Sequence, residues 1–334
     1  MPQDQKPFSF GIGLPTCREG VLYRPGAGFS TLAGIDRLAL AAEANGFSAV
    51  WADDHLTDRP SADGGPPAGL LEAMMILSHL GGITSRIALG ASVIALPLRE
   101  PVLFARQVIA LDHISEGRAV VGVGIGNRGE FLTVRPAESK MHRWNSSIER
   151  LTILRRFLED GHASSDLPFN QFGHVEMHPG PVQQHVPIHI ATGVAGNLPQ
   201  VAAVADGWHS LGMSLEDFAD GVKTVRGQLA AYGRQRDQFE ILPSFHMRIA
   251  GDARSAYAEA ISSAASLPWA DNMEHPANLF GPPAEIAAKL HGYIRAGATG
   301  CIISVLAPTV DDAEVQIKRL AAEVVPLTVG TGRE

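Results

Sequence analysis

From Phe8 to Leu306 the chain alternates between short apolar runs of strand character and longer segments whose apolar residues recur at helical spacing. The runs read FSFGIGLP, SAVWAD, RIALGASVI, RAVVGVGIG, VPIHIAT, GWHSLG, FEILPSFHMRIA and TGCIISVL. The intervening segments often end with a glycine just past the last helical turn, as at Gly46, Gly117, Gly161 and Gly297. Each run is nearly continuous in apolar character, as expected for a parallel sheet covered on both faces. Eight strands separated by helices predict an α/β fold, a single TIM-like (β/α)8 barrel, although a doubly wound sheet produces a similar pattern. No Pro/Gly/Ser-rich linker divides the chain, so residues 1–334 read as one domain.

Four segments interrupt the alternation: residues 56–69, 127–144, 163–185 and 268–283. Long connections in compact domains are often functional. Three of these are expected to gather as insertions at the C-terminal face of the barrel, where active sites form. The stretch FGHVEMHP within 163–185 alternates like a strand and predicts a small hairpin before the fifth barrel strand.

The second run leads directly into Asp53, Asp54 and His55. In a barrel this places Asp54 and His55 at the C-terminal mouth. A carboxylate beside an imidazole biases its tautomer and raises its pKa, so His55 is a candidate proton donor or acceptor with Asp54 tuning it. An Asp-rich loop that caps the next turn is the competing explanation.

The fourth run ends in Gly122, Gly124 and Gly126, which allow a cofactor to approach the backbone closely. Gly124, Gly126 and Gly129 satisfy G-x-G-x-x-G, but no helix opens there, which argues against a dinucleotide site. In the third run Gly90, Ala91 and Ser92 are small enough to leave space in or above the barrel, or simply to pack, and Arg99 follows near the mouth. After the fifth run Thr192, Gly193, Gly196 and Asn197 precede a helical pattern, a setting suited to an anion at a helix N-terminus or to a helix cap through Asn197.

No metal site is expected. His174, Glu176 and His178 would share one face of the predicted hairpin and read as solvated side chains. There is no G-x-S-x-G, H-E-x-x-H or P-loop. A net charge of -8 without a basic cluster speaks against nucleic acid. No apolar run approaches the roughly 18 residues of a membrane span, and the N-terminus has no signal-peptide core. A cytoplasmic location is therefore expected, in keeping with only two cysteines, Cys17 and Cys301, which are predicted to lie on opposite barrel faces as thiols.

The ordered set GFSAVWADDH, TSRIALGASVIALPLREPVLFARQVIALDHISEGRAVVGVGIG and HVPIHIATG…VAAVADGW resembles the bacterial-luciferase-like oxidoreductases over most of the chain. That family includes FMN-dependent monooxygenases and enzymes of the 8-hydroxy-5-deazaflavin coenzyme F420. The resemblance implies a ring bound at the C-terminal barrel mouth. It matches Asp54 and His55 to the acid and histidine pair of the deazaflavin branch. Ser92 and Val93 match a position where such members have a non-prolyl cis peptide behind the ring, and Gly122, Gly124 and Gly126 match the glycine-rich strand end near the cofactor.

Where FMN-using members carry a phosphate-binding arginine, this chain has Leu103, with Arg106 out of register. The resemblance therefore implies F420 ahead of FMN, and hydride transfer to or from a small organic substrate. An FMN-dependent monooxygenase and a non-catalytic flavin-binding barrel are the alternatives. Family habit and the apolar stretch AMMILSHL predict a homodimer through helices of the second and third barrel units.

Overall fold

The computed structural model describes residues 7–16, 31–56, 71–126, 134, 139–234, 238–263 and 274–329, the side chains of 261–263 excepted. The first units are β1 (Ser9–Leu14), α1 (Leu32–Ala44), β2 (Ala49–Ala52), α2 (Ala73–Ile83), β3 (Ala88–Ala91), β4 (Ile94–Ala95), α3 (Pro101–Ile114) and β5 (Ala119–Gly124). Then come α4 (Lys140–Asp160), β6 (His162–Leu167), β7 (Asn170–Glu176), β8 (Ile188–Ala191), α5 (Leu198–Val204), β9 (Gly207–Leu211) and α6 (Leu215–Ala231). Next are β10 (Glu240–Ile249), α7 (Ala253–Ser263), β11 (Asn278–Gly281), α8 (Pro283–Arg295), β12 (Gly300–Val305) and α9 (Val310–Arg319), which runs on through a π-helical turn, Leu320–Val324, into a last short helix, Val325–Val329.

The strands β1, β2, β3, β5, β8, β9, β10 and β12 pair in parallel in that order, and β12 returns to β1, closing an eight-stranded barrel. All eight strand runs read from the sequence form it. Cys301 lies beside Phe10 across the closing seam, as closure requires, and burial pushes its thiol pKa up. Cys17 lies outside the described residues. The predicted hairpin is present as the antiparallel pair β6–β7, apart from the barrel. The four glycines read as helix ends all have positive φ, from 74° to 108°.

Three elements escape the sequence reading. The segment 268–283 contains β11, a four-residue strand added beside the end of β10. Helix α7 buries only alanines, Ala256 and Ala260, among its described side chains, so its apolar face is faint in the sequence. Helix α9 follows the last barrel strand, buries Val310, Ala313 and Ile317, and begins at a Thr309 cap.

The apolar side chains are divided between two compartments. The larger lies between barrel and helices. Inside the barrel, Ala49, Trp51, Leu242 and Ile302 form a small separate cluster. Strand alternation sends Val50 and Ala52 outward and Trp51 inward, where a side chain on Gly90 would collide with its ring. His189 and His209 share that interior and pack against Trp51, with ring centroids 5.9 and 4.9 Å away.

Candidate active site

At the C-terminal end of β2 the backbone is pinned from β1's side. Thr16 Oγ1 donates to the Asp53 carbonyl at 3.0 Å and accepts from the Asp53 N–H at 2.8 Å. The next side chain, Asp54, is turned toward strand three. Its carboxylate accepts from the Ala95 N–H at 3.2 Å and from Arg99 Nη2 at 2.6 Å. Arg99 Nη1 also reaches Glu72 at 2.7 Å, and the Glu72 carboxylate caps α2 through the Met75 N–H. Burial raises the Asp54 pKa against the opposing pull of Arg99. Both Asp54 bonds cross to the segment that follows β3, which makes Asp54 a brace between two strand ends. His55 follows, partly exposed, at the rim.

The bulge itself is the Ser92–Val93 cis peptide between β3 and β4. Ser92 N–H donates to the Ala52 carbonyl at 2.9 Å, and β4 resumes pairing through Ile94 with Val123 and Ala95 with Gly124. Ala91 and Ile94 are buried, whereas Ser92 and Val93 between them are partly exposed toward the mouth. Gly122 and Gly124 are explained from behind this bulge. A Cβ on Gly122 would meet the Ala91 carbonyl oxygen, and one on Gly124 would lie 2.7 Å from Val93 Cγ2. Gly126 has φ +70°.

After β8, Thr192 is buried while Gly193 and Gly196 are exposed. Thr192 Oγ1 accepts from the Val194 N–H at 3.1 Å and from Asn197 Nδ2 at 3.3 Å. The cap expected from Asn197 is not formed: a 3-10 turn runs straight into α5, so Asn197 has helical rather than extended backbone angles, and its Nδ2 is turned back to Thr192. Leu103 is exposed on α3, and Arg106 donates to the His178 carbonyl at 3.0 Å. On the hairpin, His174 and His178 flank Glu176 at 3.2 and 3.7 Å, all exposed. Among the described residues no group of three or more His, Cys, Asp or Glu side chains converges as a metal site. Among them, too, no helix is long and apolar enough to cross a membrane.

Sequence reasoning missed four residues that shape the mouth and its floor. Arg150 of α4 donates to the carbonyls of Leu96, Pro97 and Arg99, and Arg143 to those of Ile125 and Gly126. The other two are His189 and His209, both fully buried, whose pKa values burial pushes down, that of His209 well below the usual imidazole range. The available signal was parity: each is a polar residue at an inward position of an otherwise apolar strand run.

The fold and this mouth define a (β/α)8 barrel enzyme whose chemistry lies at the carboxyl ends of its strands. More particularly, the chain belongs to the luciferase-like monooxygenase family, whose model matches residues 8–280. It is 34% identical over 176 residues to an uncharacterised protein of Mycobacterium tuberculosis, covering 49% of this chain and 58% of that protein. The chain thus spans under two thirds of that relative's length. Over 317 residues it is 25% identical to the F420-dependent glucose-6-phosphate dehydrogenase of Kineococcus radiotolerans, covering 86% of this chain and 91% of that enzyme. The solved structure of an F420-dependent secondary alcohol dehydrogenase with an F420-acetone adduct superposes with a TM-score of 0.80 at 16% identity, covering 97% and 99% of the two chains. At that identity the likeness concerns the fold.

Proposed function

We propose that this chain is a coenzyme F420-dependent oxidoreductase that moves a hydride between the deazaflavin and a small organic substrate. The observation that carries the reading is the Asp54 brace. By tying the end of β2 to Ala95 and Arg99, it holds His55 and the Ser92–Val93 bulge in one frame at the mouth. The near full-length alignment with an F420-dependent dehydrogenase and the exposed Leu103 in place of an arginine support F420 over FMN.

The residues present fit a flat ring. Ser92 and Val93 offer a partly exposed surface between two buried neighbours, and the absence of side chains on Gly122 and Gly124 keeps that surface seated. The exposed Gly193 and Gly196 with Thr192 and Asn197 form the adjoining loop that would take the cofactor's phosphate-bearing tail. When bound, the deazaflavin donates or accepts the hydride at its ring carbon. His55 takes or gives the accompanying proton, and Asp54 acts on it as a positioning residue through the backbone.

Titration of the cofactor-free protein with oxidised F420 and with FMN tests the assignment. F420 should bind more tightly, and preferential FMN binding would overturn it in favour of a monooxygenase. Once a substrate is in hand, His55→Ala should lower turnover roughly 10²-fold with cofactor affinity largely kept. Unchanged turnover removes His55 from the mechanism.

A further inference from the structure

The barrel core contains a line of polar groups that hydride transfer at the mouth leaves unused. Ser92 Oγ lies 3.2 Å from His209 Nδ1, and His209 Nε2 lies 3.0 Å from His189 Nδ1. His189 Nε2 in turn lies 3.7 Å from the Glu240 carboxylate. Ser92 stands just past the C-terminal end of β3, whereas Glu240 opens β10 and His189 sits near the start of β8. The line therefore runs from one mouth of the barrel to the other. At the N-terminal mouth it ends in a cavity of about 470 Å³ whose polar walls include His185, Asp206, Arg234 and Glu240. Glu240 is 39% exposed there, against 1% for His189.

We propose that Ser92, His209 and His189 form a proton relay through the barrel core, joining Glu240 and the N-terminal cavity to the cofactor-facing mouth. The inference rests on the reading that cofactor and substrate meet at that mouth.

The bonding follows from counting protons. Burial keeps both imidazoles neutral, so each has one N–H and one bare nitrogen. The groups acting on His189 are Glu240, Asp206 and Arg155, with the first two carboxylates drawing a proton toward it. His209 faces His189, Ser92 and the Trp51 ring. With Glu240 ionised, His189 Nε2–H points to the carboxylate, His209 Nε2–H donates to His189 Nδ1, and the Ser92 hydroxyl donates to His209 Nδ1.

A proton that reaches Ser92 Oγ from the mouth is taken up there as the hydroxyl's own proton passes to His209 Nδ1. At the same time the His209 Nε2 proton passes to His189 Nδ1, and the His189 Nε2 proton passes to Glu240 or to water in the cavity. One proton enters and one leaves, no ion remains in the core, and the reverse sequence delivers a proton to the mouth. Two such imidazoles inside a packed barrel are otherwise a costly way to fill space.

The test uses cofactor-free protein labelled with ¹⁵N-histidine, so it does not depend on which cofactor binds. A neutral buried imidazole changes tautomer in place only by taking a proton at one nitrogen while giving one from the other. The relay therefore predicts that the His209 ring N–H, with each rate taken relative to that of the same group free in water, is protected from exchange with D2O at least tenfold less than the backbone amides of Trp208 and Ser210 beside it. His189→Gln and Ser92→Ala each break the line and should slow that exchange at least tenfold. A purely structural pair predicts the opposite, because loosening variants open the core and speed exchange. Wild-type protection equal to that of the neighbouring amides, or variants that leave the ring exchange unchanged or faster, would overturn the relay. The wild-type measurement decides the matter even if a variant fails to fold.

Discussion

Replacing His209 with glutamine should flatten the acid limb of the stability curve. His209 is 0% exposed and burial holds its pKa well below the usual imidazole range, so the folded protein keeps it neutral where the unfolded chain begins to protonate it. The unfolded chain protonates it with a pKa of about 6.5. Below that pH the unfolded state binds more protons than the native state, and stability falls as pH falls. Integrated from pH 7.5 to 5.5, one such histidine costs at most about 1.4 kcal/mol. Urea denaturation at pH 7.5, 6.5 and 5.5 should show wild type losing about that much more stability over the interval than His209→Gln. Histidines that do not touch position 209 cancel in the difference, as does any pH-independent cost of the substitution, and carrying out the comparison in a His189→Gln background removes the one histidine bonded to it. Equal losses in the two proteins would mean that His209 titrates normally in the fold, and the argument from burial would fail.

Asp54→Ala leaves the partly buried Arg99 with Glu72 alone and should cost about 3 kcal/mol, read as a drop in urea midpoint. Gly122→Ala places a methyl group against the Ala91 carbonyl and should prevent recovery of folded protein, whereas Gly196→Ala, with open space around it, should stay within about 0.5 kcal/mol of wild type. Met75 and Leu103, on α2 and α3, are exposed apolar side chains on the helices proposed to pair two copies. Sedimentation should therefore give a dimer, and Met75→Lys with Leu103→Lys should return a monomer. A wild-type monomer across micromolar concentrations would refute that surface.

The architecture was legible because each barrel strand is an apolar run bounded by a helix, and this pattern survives in a single sequence. Helix α7 was not, since Ala256 and Ala260 bury little surface and leave no strong periodic stripe. At the site, local reading placed Asp54 and His55 at the end of a strand but paired them with each other. The Asp54 carboxylate instead finds Ala95 and Arg99, 41 and 45 residues away, and separations of that kind carry no local signal. The cis peptide was reached through resemblance, because residue types alone do not distinguish it from an ordinary strand. Gly122 and Gly124 looked like room for a ligand, whereas the space they leave is taken by the protein's own bulge. Asn197 had the residue type of a cap but bonds Thr192.

Arg143 and Arg150 grip the two loops at the mouth by their main-chain carbonyls. Such a grip is blind to side-chain identity. The partly exposed Leu98 and Ile125 can therefore change while the path of their backbone stays where helix α4 holds it. A lineage with this device can retune what the mouth admits by single substitutions without rebuilding its frame. The cost of that freedom is concentrated in two arginines, for which lysine is no substitute in geometry, since its single ammonium cannot span the same set of carbonyls.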